Sequence, residues 1–143
     1  MTQVADGLIA FVKQDCETCV TVVPVLQQLI DSGQLAQIIV QDDASFPPVS
    51  GLDVAHDEDL ALSWHADIET VPTLIKQVDG AEADRTVGWH REQWEAFTGV
   101  TGIGDGLPDQ RPGCGSMSVD PDRADALNAK FGDSGVVLSL IHI

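Results

Sequence analysis

Apolar and polar positions change rhythm several times along this chain. "GLIAFVK" (Gly7 to Lys13) is a short, nearly continuous apolar run, as a buried strand requires. Val20, Val23, Leu26, Leu29 and Ile30 then recur at helical spacing, and Asp31-Ser32-Gly33 supplies a stop. "QLAQIIVQ" (Gln34 to Gln41) predicts a second strand, its centre rich in β-branched residues. "DDASFPPVSGLD" follows as a loop, and "AHDEDLALSWHAD" as a shorter helix whose early acidic residues suit the helix dipole. "PTLIKQV" and "ADRTVGW" predict two strands around the hairpin signal Asp79-Gly80, whose loop could exceed two residues. "HREQWEAFTG" predicts a last helix ended by Gly99.

The resulting order is β-α-β-α-β-β-α. A leading βαβ unit pairs its strands in parallel through a right-handed crossover, and a tight hairpin is antiparallel. The expected architecture is therefore α/β, with one mixed four-stranded sheet and helices on both faces, over residues 1–100. Residues 101–118, dense in Gly and Pro, read as a linker or surface loop. Residues 119–137 read as the start of a C-terminal helical segment, with Asp120 as N-cap, Pro121 in the first turn and Gly132 as terminator. The final "LSLIHI" (Leu138 to Ile143) matches the translation of a transposase adapter used in sequencing libraries. Residues 138–143 are accordingly expected to be read-through, with the natural chain cut near Val137; the alternative is an ordinary apolar strand.

Composition narrows the function classes. The 143 residues carry 23 acidic and 7 basic side chains, a net charge of −16, which a phosphate backbone would repel; no nucleic-acid partner is expected. No apolar stretch approaches a membrane span, and "MTQVADGLIAFVKQDC" lacks the pattern of a secretory leader. A reducing, cytoplasmic setting is the expectation, and there a CxxC pair signals redox or metal chemistry.

That pair is Cys16 and Cys19 in "QDCETCVTVVPVL". A strand ends just before Cys16 and a helix begins there, so free N–H groups of the first turn face the sulfur and favour the thiolate. The same junction is expected to leave Cys16 accessible. Spacing of three puts the second sulfur on the same helical face, one turn deeper. With Pro24 five residues after Cys19, "TVPTL" (Thr70 to Leu74) and Gly88 before the last helix, the stretch from about Gly7 to Val100 resembles the thioredoxin superfamily in its compact form. The resemblance implies a thioredoxin-like three-layer fold and a thiol–disulfide oxidoreductase, with Cys16 as nucleophile and Cys19 as resolving thiol. It implies a cis peptide bond before Pro72, and a substrate groove lined by Val71, Pro72 and Gly88, the Val71 backbone pairing with an extended substrate. Trp89 could add an apolar wall to that groove or be a half-buried core residue, whereas Trp64 and Trp94 sit at core spacings. Protein or small-molecule disulfides are the implied partners, with an electron donor such as a thioredoxin reductase and no bound cofactor beyond the disulfide itself.

The chain also departs from the family. "DCETC" replaces "WCGPC", and the position six residues before the first cysteine, where thioredoxins keep an aspartate, is Ala10. Asp15 and Glu17 flank the nucleophile; at about 6 Å each adds roughly 0.7–1.4 kcal/mol against the thiolate. Cys16 is therefore expected at a pKa of roughly 7.5–8.5. Two other readings stay open: a non-catalytic thioredoxin-like adaptor of a longer protein, and a metal site drawing on Cys114, His56, His65 or His90. Cys114 itself, in "RPGCGS", reads either as an exposed reactive thiol or as a chance one.

Overall fold

A computed structural model describes residues 6–119, together with Leu127 and Ala129. The N-cap, first-turn proline and terminator expected at Asp120, Pro121 and Gly132, and the suspected read-through 138–143, lie outside the described residues.

Strand β1 (Gly7–Val12) is buried at every position after the first, and the sheet is assembled around it. Helices α1 (Glu17–Thr21) and α2 (Val23–Asp31) follow, then β2 (Leu35–Val40) and β3 (Val54–His56). Helix α3 (Ala61–His65) leads through β4 (Thr70–Val71) into β5 (Thr73–Val78), β6 (Ala81–Val87) and β7 (Trp89–His90). Helix α4 (Arg91–Thr98) and two short strands, β8 (Gln110–Arg111) and β9 (Cys114–Gly115), complete the order, with a 3-10 turn at Met117–Val119. The main sheet runs β3-β2-β1-β5-β6. It is mixed: β1, β2 and β3 are parallel, whereas β5 and β6 are antiparallel additions on the other side of β1. With four helices among the described residues, the molecule is a mixed α/β protein.

The sheet has five strands where four were expected. The extra one is β3, from a stretch assigned to the start of a helix. Three residues with a polar neighbour on each side carry too little periodicity to declare a strand. Their strand character comes from register with Ile38, Ile39 and Val40 of β2. The helix then begins later than its acidic residues suggest, because one of them, Asp57, folds back as a cap. Its carboxylate accepts from Leu62 N at 3.0 Å, Ser63 N at 2.8 Å and Ser63 Oγ at 2.6 Å.

The predicted helix after the cysteines is broken into α1 and α2 at Val22, two residues before Pro24. Proline has no N–H to continue the ladder, and its ring obstructs the carbonyl four residues earlier. Restarting the helix changes its phase. Val22, Val25, Leu26 and Leu29 are buried, while Val20, expected on the apolar stripe, is half exposed. The β5–β6 hairpin closes in two residues, since Val78 pairs with Ala81; Asp79 and Gly80 have φ of 55° and 81°, which suits a type I′ turn.

The Gly/Pro-rich stretch 101–118 is irregular but firmly anchored to the domain. Ile103 is buried. The Arg91 guanidinium donates to the carbonyls of Gly104 at 2.6 Å and Leu107 at 2.7 Å and pairs with Asp109. Further along, Gln41 donates to Ser116 Oγ at 2.7 Å and accepts from Met117 N at 2.9 Å. Among the described residues no helix is long and apolar enough to cross a membrane.

Candidate dithiol site

β1 delivers the chain to Cys16 at the lip of the sheet, and α1 starts one residue later. Cys16 is the N-cap: its backbone is extended (φ −156°, ψ 112°) and its sulfur accepts the Cys19 N–H at 3.2 Å. In its thiol form it also donates to the Val71 carbonyl at 3.6 Å. The bond between Val71 and Pro72 is cis, as the resemblance implies; a second cis bond, Phe46–Pro47, carried no sequence signal.

The thiols of this site differ sharply. Cys16 is lowered from an ordinary 9.0 to about 6. The Cys19 thiol contributes most, burial opposes it, and the Cys114 thiol with the backbone N–H groups of Cys19 and Thr18 add to the lowering. Burial pushes Cys19 far up, reinforced by Cys16. Cys114 is raised as well, by burial first and then by Cys16. An acid near 6 replaces the 7.5–8.5 expected from the flanking carboxylates. One reason is visible in the geometry: the Glu17 carboxylate is held in an ion pair with Arg111, which offsets its field at the sulfur. The Asp15 side chain is exposed, where water screens it.

Access differs from expectation too. Cys16 is only 5 % exposed and Cys19 fully buried. The cover is the stretch Gln110–Ser116, which crosses the site as a strap. β9 pairs antiparallel with β4, placing Cys114 opposite Val71 and Gly115 opposite Thr70. Beside it, Pro112 O accepts from Thr18 Oγ1 at 2.6 Å, and Arg111 donates to the same hydroxyl at 3.1 Å. Composition alone conceals this, because the strap's hold depends on partners up to 94 residues away in the chain.

The groove residues are thus gathered, but under the strap. The Val71 backbone, expected to pair with a substrate, pairs with Cys114. Gly88 N donates to Pro72 O at 2.8 Å, and a Cβ at Gly88 would come within 3.2 Å of Arg111 O and Gly113 N. Trp89 is 1 % exposed and stands edge-on to Trp94, ring centroids 5.1 Å apart, so it belongs to the core rather than to an open wall. Its indole N–H donates to Pro108 O at 2.7 Å, another anchor of the same stretch. Trp64 is half buried and Trp94 fully buried. A cleft of about 740 Å³ opens alongside the strap, between Gly88 and Pro112, and another of about 750 Å³ is lined by His65, Ile75 and Arg85; neither is lined by a cysteine.

Cys114 is the site residue that sequence reasoning left undecided. Its flanking glycines were the available signal: a Cβ at Gly113 would meet Thr70 Cγ2 at 2.4 Å and Val71 O at 2.6 Å, so this close approach requires glycine. Among the described residues no group of three or more His, Cys, Asp or Glu side chains is arranged to hold a metal ion. No protein-family model matches the chain, and no curated protein matches it either.

Proposed function

We propose that this chain is a thiol–disulfide oxidoreductase of thioredoxin-like type, acting on protein or small-molecule disulfides in a reducing compartment. The single observation that carries the reading is the contrast within one CxxC pair: a capped, acidic Cys16 beside a buried, weakly acidic Cys19. The sheet order, with β1 between a parallel β2 and an antiparallel β5–β6 hairpin, supports the thioredoxin-like assignment.

The chemistry follows from that contrast. Near neutral pH Cys16 is largely thiolate, the form that attacks. It displaces one thiolate from a substrate disulfide and forms a mixed disulfide with the remaining half. Its own charge is thereby lost, removing one of the influences that hold the Cys19 proton. Cys19 then gives that proton to the departing thiolate and attacks the Cys16 sulfur. The second substrate thiolate leaves, the Cys16–Cys19 disulfide closes, and two electrons have passed to the substrate. An external dithiol donor, such as a thioredoxin reductase, would restore the pair. No carboxylate assists at position 10, which is a buried alanine.

The 5 % exposure of Cys16 under the strap favours a second reading, in which the domain is an adaptor that does no chemistry. Turnover separates the two. With dithiothreitol as donor, the chain should accelerate reduction of insulin or of a small aromatic disulfide, and Cys16→Ser should return the rate to background. A wild-type rate no higher than that of Cys16→Ser would leave the adaptor.

A further inference from the structure

The strap does more than cover the pair, because it carries a thiol. β9 lies against β4 in the position an extended peptide would take, and its first residue, opposite Val71, is Cys114. Val71 O is also the acceptor that faces the Cys16 sulfur, at 3.6 Å. Both Cys16 and Cys114 are therefore neighbours of Val71. Cys114 is half buried where Cys16 and Cys19 are buried, so it is the most accessible of the three. Glycine at 113 permits the approach, and the Thr18, Arg111 and Gln41 contacts fix the register on either side.

We propose that Cys114 is a third exchanging thiol of this site, held by the strap as a built-in substrate, and that it forms an intramolecular disulfide with Cys16. The inference rests on Cys16 being a working nucleophile, as argued above. The mutual influence of the Cys16 and Cys114 thiols on each other's acidity agrees with this placement.

The step balances with a disulfide as the oxidant. With glutathione disulfide, one protein thiolate attacks a glutathione sulfur and releases one glutathione thiolate. The other protein thiolate attacks the protein-side sulfur of the mixed disulfide and releases the second. Two protein thiols lose two protons and two electrons, and glutathione disulfide becomes two glutathiones. In the wild-type chain the Cys19 thiolate then displaces Cys114 from Cys16, an exchange with no net electron change.

The test uses the full chain with Cys19 removed, as Cys19→Ser and, because that position is fully buried, also as Cys19→Ala. Each is treated with glutathione disulfide, acid-quenched and mapped by mass spectrometry. The expected product is two hydrogens lighter than the reduced chain, carries no glutathione and links the Cys16 and Cys114 peptides. Adding Gly113→Ala forces the strap away from Thr70 and Val71, and should slow ring closure by about tenfold or more, with glutathione accumulating on Cys16. Wild type, which needs no core substitution, should pass through the same linked species at short times. If both Cys19 variants keep glutathione on Cys16 with Cys114 free while wild type closes Cys16–Cys19, the third-thiol inference is overturned and the dithiol reading stands. If wild type closes neither ring and takes up no glutathione, both fail together.

Discussion

The sulfur of Cys16 is surrounded by groups that donate to it, namely the Cys19 and Cys114 thiols and the N–H groups of Cys19 and Thr18, and these outweigh the cost of burying its charge. The sign of the resulting pH dependence follows directly. Folding lowers this pKa, so between about 6 and 9.0 the unfolded chain binds more protons at Cys16 than the folded one. That stabilisation is complete above the unfolded value and disappears as pH falls through about 6. Chemical denaturation of the reduced protein should therefore show stability rising across this window, with the rise absent in Cys16→Ser. Equal slopes in the two proteins would contradict the assigned acidity. Glu17 bears on the same sulfur through water: because its side chain is exposed and screened, Glu17→Gln should shift the alkylation midpoint of Cys16 by less than about half a pH unit. Sequence proximity pointed to a larger effect, because spacing along the chain does not show how far solvent screens the carboxylate.

Elements here end where a single side chain intervenes. Pro24 divides one predicted helix into α1 and α2, and Asp57 replaces the missing first turn of α3. The Asp57 cap continues into a buried network, since Ser63 Oγ donates to Asp57 and accepts from Gln41, which also holds Ser116 of the strap and the neighbouring Met117. Asp57→Ala leaves the N–H groups of Leu62 and Ser63 without their acceptor, and should lower unfolding free energy by about 2–3 kcal/mol in urea titration. A loss under about 0.5 kcal/mol would mean that water replaces the cap. Much of this scale was readable from the chain. β1, β2, the hairpin and α4 lie close to where their periodicity, turn residues and Gly99 put them. β3, β8 and β9 were not, because strands of two or three residues owe their geometry to a distant partner rather than to their own pattern.

For the whole molecule, the sequence pointed correctly to a mixed α/β arrangement, whereas the grouping of Cys16, Cys19, Val71, Pro72 and Gly88 came from the family resemblance rather than from the pattern of the chain. It did not reveal that the glycine-rich stretch returns across them, because Gly and Pro advertise turns without saying where the chain goes next. The net charge of −16 also acts at this scale. Like charges repel across a compact surface, and salt shortens their range from about 30 Å at 0.01 M to about 3 Å at 1 M. The melting temperature should rise as sodium chloride is added over that range, and a fall would mean that ion pairs such as Arg91–Asp109 outweigh the general repulsion.

A buried pair with one acidic thiol, Cys16, makes a specific claim about redox poise. A stabilised Cys16 thiolate favours the reduced form, so the couple should be more oxidising than the ~−270 mV of thioredoxin, whose thiol sits near ~7, yet less so than the ~−120 mV of the strongest CxxC oxidants. The decisive measurement is equilibration of the full chain in graded glutathione buffers, followed by alkylation and intact-mass analysis. The expected result is one reversible two-electron transition between those limits, with Cys16 in the disulfide. A chain whose Cys16 stays alkylatable at every poise, with no reversible loss of two hydrogens, would contradict the account.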